Sequence, residues 1–94
     1  MVEYKFDGKE LRDRRGIKIG FLDGNYIRDN HSNRVGQIDG KYLRDNSGNR
    51  VAEIDGRDIR DSHGSKIATI DDVKKIIEGI GGNSLAAMWL FFVR

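Results

Sequence analysis

The chain has no cysteine and no proline, a single tryptophan, and no apolar run longer than nine residues. Without cysteine there is neither a disulfide framework nor a thiolate metal site. Without proline, all turn chemistry falls on twelve glycines and on Asn and Asp. The longest apolar run, Leu85 to Val93, is too short to span a bilayer. Charge of one sign is also scarce: 17 basic residues stand against 15 acidic ones, a net +2, which gives nucleic-acid binding thin support and predicts no nucleic-acid partner. The opening "MVEYKFDGKELRDRR" is charged from its third residue onward. It lacks the order of a secretory leader, so the cytoplasm is the expected compartment.

Chemical motifs are missing as well. There is no G-x-x-x-x-G-K-(S/T) phosphate loop and no H-E-x-x-H, and no Ser or His lies in a nucleophile setting. "GIGGN" follows a helical pattern, whereas a dinucleotide fingerprint follows a strand and opens a helix. Paired carboxylates recur with the architecture, and an acid–base pair needs two differing environments. The expectation is a non-enzymatic protein with no cofactor and no bound metal.

What the chain does contain is a repeat. Asp stands at 7, 23, 39, 55 and 71, always sixteen residues apart, and Gly follows it at 8, 24, 40 and 56. The units are "DGKELRDRRGIKIGFL", "DGNYIRDNHSNRVGQI", "DGKYLRDNSGNRVAEI" and "DGRDIRDSHGSKIATI". Arg12, Arg28, Arg44 and Arg60 recur in register, each followed by Asp.

Asp-Gly between two apolar-bearing runs predicts a β-hairpin closed by a two-residue type I′ turn. In the third unit this pairs Ile38 with Lys41, Gln37 with Tyr42, Gly36 with Leu43 and Val35 with Arg44. Alternation then puts Gly36, Ile38, Lys41 and Leu43 on one face and Val35, Gln37, Tyr42 and Arg44 on the other. The first face repeats as two aliphatics and one tiny residue, Gly20, Gly36, Ala52 or Ala68. Hairpins crowding round a shared core need that composition. The second turn, "RDNSGNR" in fullest form, offers an Asp to cap backbone N–H groups and a Gly or Asn tolerant of the left-handed region.

At the fifth occurrence Asp-Gly becomes Asp71-Asp72. Asp71 then reads as a helix N-cap, with Val73, Ile76, Ile77 and Ile80 at helical spacing and "GIGG" as the stop. Of the last segment, Leu85 to Met88 favours helix and Trp89 to Val93 favours strand. The expected organisation is one domain over 1–94, with hairpin repeats over 1–70, a helix over 71–80 and a closing apolar segment over 81–94. Deleting that segment separates a buried plug from an exposed patch.

Four units hinged on Asp-Gly and ending in (I/L)-R-D, followed by a short helix and an apolar tail, resemble the small bacterial family called the four-fold β-flower domain. The resemblance covers nearly the whole chain. It implies a mainly β fold: four 16-residue hairpin repeats in a pseudo-four-fold rosette, then a short α-helix and an apolar C-terminal segment packed on the core. It brings no catalytic residues and no ligand. A weaker likeness, through D-x-x-G-x-(R/K)-(V/I), to the tyrosine-aspartate repeats of large secreted toxins is set aside, because those repeats are longer and this chain is too short for their shell.

Candidate sites lie among both the varying and the recurring letters. Tyr26 and Tyr42, at equivalent outer-face positions, can stack on a sugar or base, or pack across strands. Arg28 and Arg44, with Arg12 and Arg60, form either an anion-binding ring or a set of structural ion pairs. His31 and His63 read as exposed loop residues, and Asp29 to Asn33 and Asp45 to Asn49 as turns without the bidentate Glu of a calcium loop. The first reading is a structural or protein-interaction module whose partner is another protein or a second copy. The alternative is a small-ligand or carbohydrate binder using Tyr26, Tyr42, Arg28 and Arg44.

Overall fold

Each Asp-Gly pair does close a hairpin, but one residue later than its composition predicts. In the computed structural model, which describes residues 2–80 and 82–94, Asp39 pairs with Tyr42, Ile38 with Leu43, Gln37 with Arg44 and Gly36 with Asp45. The two-residue turn is therefore Gly40-Lys41. Gly40 sits at φ 61° and Lys41 has no positive φ, the pattern of a type II′ turn. The type I′ reading fails because it would force Asp39 into the left-handed region, which costs a non-glycine residue about 1 kcal/mol or more. Moving the turn by one residue moves each partner by two, so both faces keep their side chains.

The strands are β1 (Tyr4–Phe6), β2 (Glu10–Asp13), β3 (Lys18–Asp23), β4 (Tyr26–Asp29), β5 (Arg34–Asp39), β6 (Tyr42–Asp45), β7 (Arg50–Asp55), β8 (Asp58–Asp61), β9 (Lys66–Thr69) and β10 (Ile77–Gly79). They form one sheet in the order β10-β1-β2-β3-β4-β5-β6-β7-β8-β9, antiparallel except for β10 on β1. Between hairpins the chain turns through a three-residue loop. The Ser32 N–H donates to the Asp29 carbonyl at 3.0 Å and the Asp29 N–H to the Asn33 carbonyl at 2.9 Å. The third loop residue is left-handed in all four: Gly16, Ser32, Gly48 and Gly64. Ser32, at φ 69°, is the only non-glycine with positive φ among the described residues. Ser32→Gly is expected to stabilise the fold by about 0.5 to 1 kcal/mol, the left-handed strain relieved less the entropy glycine adds to the unfolded chain. A denaturant titration checks it.

After each loop the ladder carries a bulge. Ile27 pairs with Gly36 but Arg28 with Arg34, leaving Val35 extra; Ile19, Val51 and Ile67 are its equivalents. These residues pack against the core cluster. The expected outer-face position of Val35 is thus corrected, because a bulge re-aims the side chain it displaces.

The helix expected over 71–80 is only α1 (Ile70–Lys74). Its N-cap is Thr69, not Asp71: the Thr69 hydroxyl accepts from the Asp72 N–H at 3.2 Å, and the Asp72 carboxylate accepts from the Thr69 N–H at 3.0 Å. Ile77, expected on that helix, lies in β10 and is fully buried, while Ile80 is 73% exposed. The exposed edge of β1 outcompetes helix propagation here, and Gly79 suits the pairing because a Cβ there would strike the Phe6 backbone.

The sheet must curl. Laid flat, its nine strand-to-strand steps would hold β9 and β10 about 43 Å apart. The link from Thr69 to Ile77, with five residues in α1, reaches about 18 Å at most. α1 therefore lies across the seam between the sheet's two edges. The last segment fills the interior as α2 (Asn83–Met88), running on through a π-helical turn, Trp89–Val93; it is helical throughout, not part strand. Leu85, Ala86, Ala87 and Met88 are all fully buried. Four consecutive residues cover the whole circumference of a helix, so α2 is enclosed on every side. Around it stand Leu11, Ile27, Leu43 and Ile59, one per repeat and each fully buried.

The tiny-residue position now has a specific meaning. The Phe91 ring lies on Gly36 and the Phe92 ring on Gly20, where a methyl group would come within 3 Å of ring atoms. Ala52 and Ala68 hold the same position in the third and fourth repeats.

Candidate functional site

The recurring Arg and Asp are consumed by the frame. Arg28 Nε donates to Asp23 Oδ2 at 2.9 Å and Nη1 to the Ser32 carbonyl at 2.9 Å. Arg44 makes the same bonds to Asp39 and Gly48, and Arg60 to Asp55 and Gly64. Each guanidinium thus clamps the Asp that opens its own hairpin and closes the loop that follows. In the first repeat Arg12 pairs with Glu10 instead and still reaches the Gly16 carbonyl. The Asp that follows each Arg in sequence does not neutralise it; that carboxylate caps the loop.

Asp29 Oδ1 accepts from the His31 and Asn33 N–H groups at 2.9 and 3.0 Å, and Asp45 and Asp61 repeat this with Ser47 and Asn49, and with His63 and Ser65. These bonds hold the carboxyls below their ordinary value of 3.8, the N–H of Asn33, Asn49 and Ser65 acting most strongly. A carboxyl whose folded pKa is depressed stabilises the fold above its unfolded pKa and loses that contribution as pH falls through the folded one. Stability is therefore expected to be flat from neutral pH to about pH 5 and to fall below about pH 4. The acid loss should be shallower in the Asp29→Asn, Asp45→Asn, Asp61→Asn triple variant, as read from melting temperature against pH.

Tyr26 and Tyr42 lie on the outer face, each beneath a guanidinium. Arg34 sits 4.7 Å from the Tyr26 ring centre and Arg50 4.0 Å from that of Tyr42. The equivalent positions in the outer repeats hold Glu10 with Lys18, an ion pair at 3.9 Å, and Asp58 with Lys66. Arg accompanies the aromatic and Lys the carboxylate, as a planar guanidinium and a compact ammonium each prefer. Tyr26 is 37% exposed. Tyr26 and Arg44 lie on one cross-strand row with Gln37 between them, whereas Tyr42 belongs to the next row, with Glu53. The four candidates therefore share a face without converging on a hollow.

His31 and His63 are exposed at loop tips, and among the described residues no three His, Cys, Asp or Glu side chains come together as a metal cluster. Concavity lies elsewhere. An open cleft of about 550 Å³ is lined by Glu3, Tyr4, Asp13, Arg14 and Arg15, at the first loop. Two guanidinium groups face two carboxylates there, and Arg14 Nη1 approaches Glu3 at 3.9 Å. The sequence held a signal for it: this loop reads D-R-R-G-I where the next two read D-N-H-S-N and D-N-S-G-N.

A larger feature escaped the composition. The loop segments 12–18, 28–34, 44–50 and 60–66 hold ten basic residues against four Asp, a local +6, and the rest of the chain holds seven against eleven, or −4. The fold gathers these segments at one end, where six of their ten basic residues pair with carboxylates outside them: Arg12 and Lys18 with Glu10, Arg14 with Glu3, Arg28 with Asp23, Arg44 with Asp39 and Arg60 with Asp55. No family model, no curated protein and no solved structure matches the chain.

Proposed function

We propose that the chain is a non-enzymatic structural or protein-interaction module working in the cytoplasm, and that its repeats place it in the four-fold β-flower family. One observation supports the reading: the polar residues that recur in every repeat are spent on the frame. Arg28 and Arg44 are each held by a carboxylate and a loop carbonyl. What remains for recognition is the outer surface, which varies from repeat to repeat. The carbohydrate-binding alternative has the exposed Tyr26 ring in its favour, and against it the Arg34 guanidinium already stacked there. Native mass spectrometry of the chain isolated from its source distinguishes them. The module reading expects a bound polypeptide or a second copy; a stoichiometric small molecule would sink it.

A further inference from the structure

The four Asp-Gly bonds are alike in sequence and exposure but not in how the fold holds them. Asp7, Asp23, Asp39 and Asp55 are all exposed, and Asp7-Gly8-Lys9 and Asp39-Gly40-Lys41 are identical tripeptides. Asp23, Asp39 and Asp55 each close a strand, paired with Tyr26, Tyr42 and Asp58. Their carboxylates accept from the Nε of Arg28, Arg44 and Arg60 at 2.9, 2.9 and 3.4 Å. Each of those Arg residues stands opposite the residue two before its Asp: Phe21, Gln37 and Glu53. The clamp therefore draws the carboxylate back along the strand, away from the glycine nitrogen that follows. In the first hairpin the ladder stops one pair earlier, at Phe6 with Leu11, and Arg12 turns to Glu10. Asp7 Oδ1 accepts instead from the Lys9 N–H at 2.9 Å and the Glu10 N–H at 2.7 Å. These two bonds fold the carboxyl group forward across Gly8, whose φ is 101° against 61° to 63° at Gly24, Gly40 and Gly56.

We propose that Asp7 is a modification site: of the four Asp-Gly bonds, Asp7-Gly8 is the one that rearranges through a succinimide to isoaspartate, and the Arg clamps shield the other three. The Gly8 nitrogen attacks the carboxyl carbon of the Asp7 side chain; a C–N bond forms, and the carboxyl OH leaves with the N–H proton as water. Water then opens the ring at the backbone carbonyl, breaking its bond to the Gly8 nitrogen and leaving the chain routed through the side-chain carbon. Mass and redox state are unchanged. Glycine permits the step because no side chain screens its nitrogen. The Glu10 and Lys9 N–H groups hold the Asp7 carboxyl below its ordinary 3.8, and ring closure passes through the protonated acid, so the change belongs to the ageing of the protein and not to its assembly. The rearranged backbone gains a methylene and loses the Oδ1 cap on Lys9 and Glu10, directly after β1, the strand on which β10 pairs.

Folded protein aged in mildly acidic buffer, then digested and sequenced by electron-transfer fragmentation, reports isoaspartate at each bond separately. Asp7 should exceed each of Asp23, Asp39 and Asp55 by about fivefold or more, the factor an exposed ion pair withholds from the attack. In urea the four should react alike, since the unfolded chain has no clamp. Arg44→Gln should raise the rate at Asp39 and leave Asp23 and Asp55 as they were. The comparison of Asp7 with Asp39 in the unaltered protein needs no variant to fold, and the two share their local sequence. The proposal is overturned if the folded protein rearranges equally at Asp7 and Asp39, or if Asp7 keeps its lead in urea. It is overturned equally if Arg44→Gln, shown by circular dichroism to be folded, leaves Asp39 as slow as before.

Discussion

Removing residues 84–94 is expected to abolish cooperative folding, not to yield a smaller soluble sheet. Leu85, Ala86, Ala87 and Met88 fill the interior completely, and without them Leu11, Ile27, Leu43 and Ile59 face a void. A fully buried Leu or Met truncated to Ala costs about 2 to 5 kcal/mol, and a domain of this size has only about 5 to 14 kcal/mol in total. The loss of the whole segment exceeds that margin. Near-UV circular dichroism and a denaturant titration check the result. A sharp unfolding transition in the truncated chain would mean that the segment is peripheral, contrary to its burial. Met88→Ala alone should fold and lose about 2 to 5 kcal/mol.

Gly20→Ala is expected to be a costly single methyl group to add. At Gly20 the new Cβ would stand 2.6 Å from Phe92 Cε2 and 2.8 Å from the Arg28 carbonyl oxygen. At Gly36 it would stand 2.8 Å from both Cε atoms of Phe91. Overfilling a packed site costs about 1 to 3 kcal/mol, and more where backbone must yield. About 3 kcal/mol or more is therefore expected for Gly20→Ala, and about 2 kcal/mol for Gly36→Ala, where the three nearest atoms all belong to the Phe91 ring. Phe91→Leu should recover part of the Gly36→Ala loss, giving a non-additive double-mutant cycle. Additive effects would show that ring and glycine do not meet. Alanine already stands at this position in the third repeat as Ala52, fully buried.

Both expectations depend on a contact between residues far apart in the chain, and this marks the limit of what could be read locally. The sixteen-residue period, the hairpins and the faces of the strand residues other than the bulged Val35 were legible, because each follows from spacing and alternation within one unit; whether the apolar tail is buried was not legible. The turn register was not, since Asp39-Gly40 and Gly40-Lys41 offer equally short turns until the left-handed cost of Asp39 is weighed. The Thr69-Ile70-Asp71-Asp72 capping box was present in the letters and was obscured by the helical spacing of Ile76, Ile77 and Ile80 beyond it. Of the candidate site residues, the outer-face placement of Tyr26 and Tyr42 was legible. Their cover by Arg34 and Arg50 was not, because it joins side chains eight residues apart across a bulge.

The sequence by itself determined the unit: four copies of a strand, a tight turn, a strand and a capped loop, each built from interactions within sixteen residues. Tertiary structure alone decided three things. It ended α1 at Lys74, because β1 presented an unpaired edge that Ile77 to Gly79 could satisfy. It set glycine beneath two phenylalanine rings, because the end of the central helix lays Phe92 on Gly20 and Phe91 on Gly36. It also curled the sheet, because the link from Thr69 to Ile77 is too short to join the two edges of a flat one.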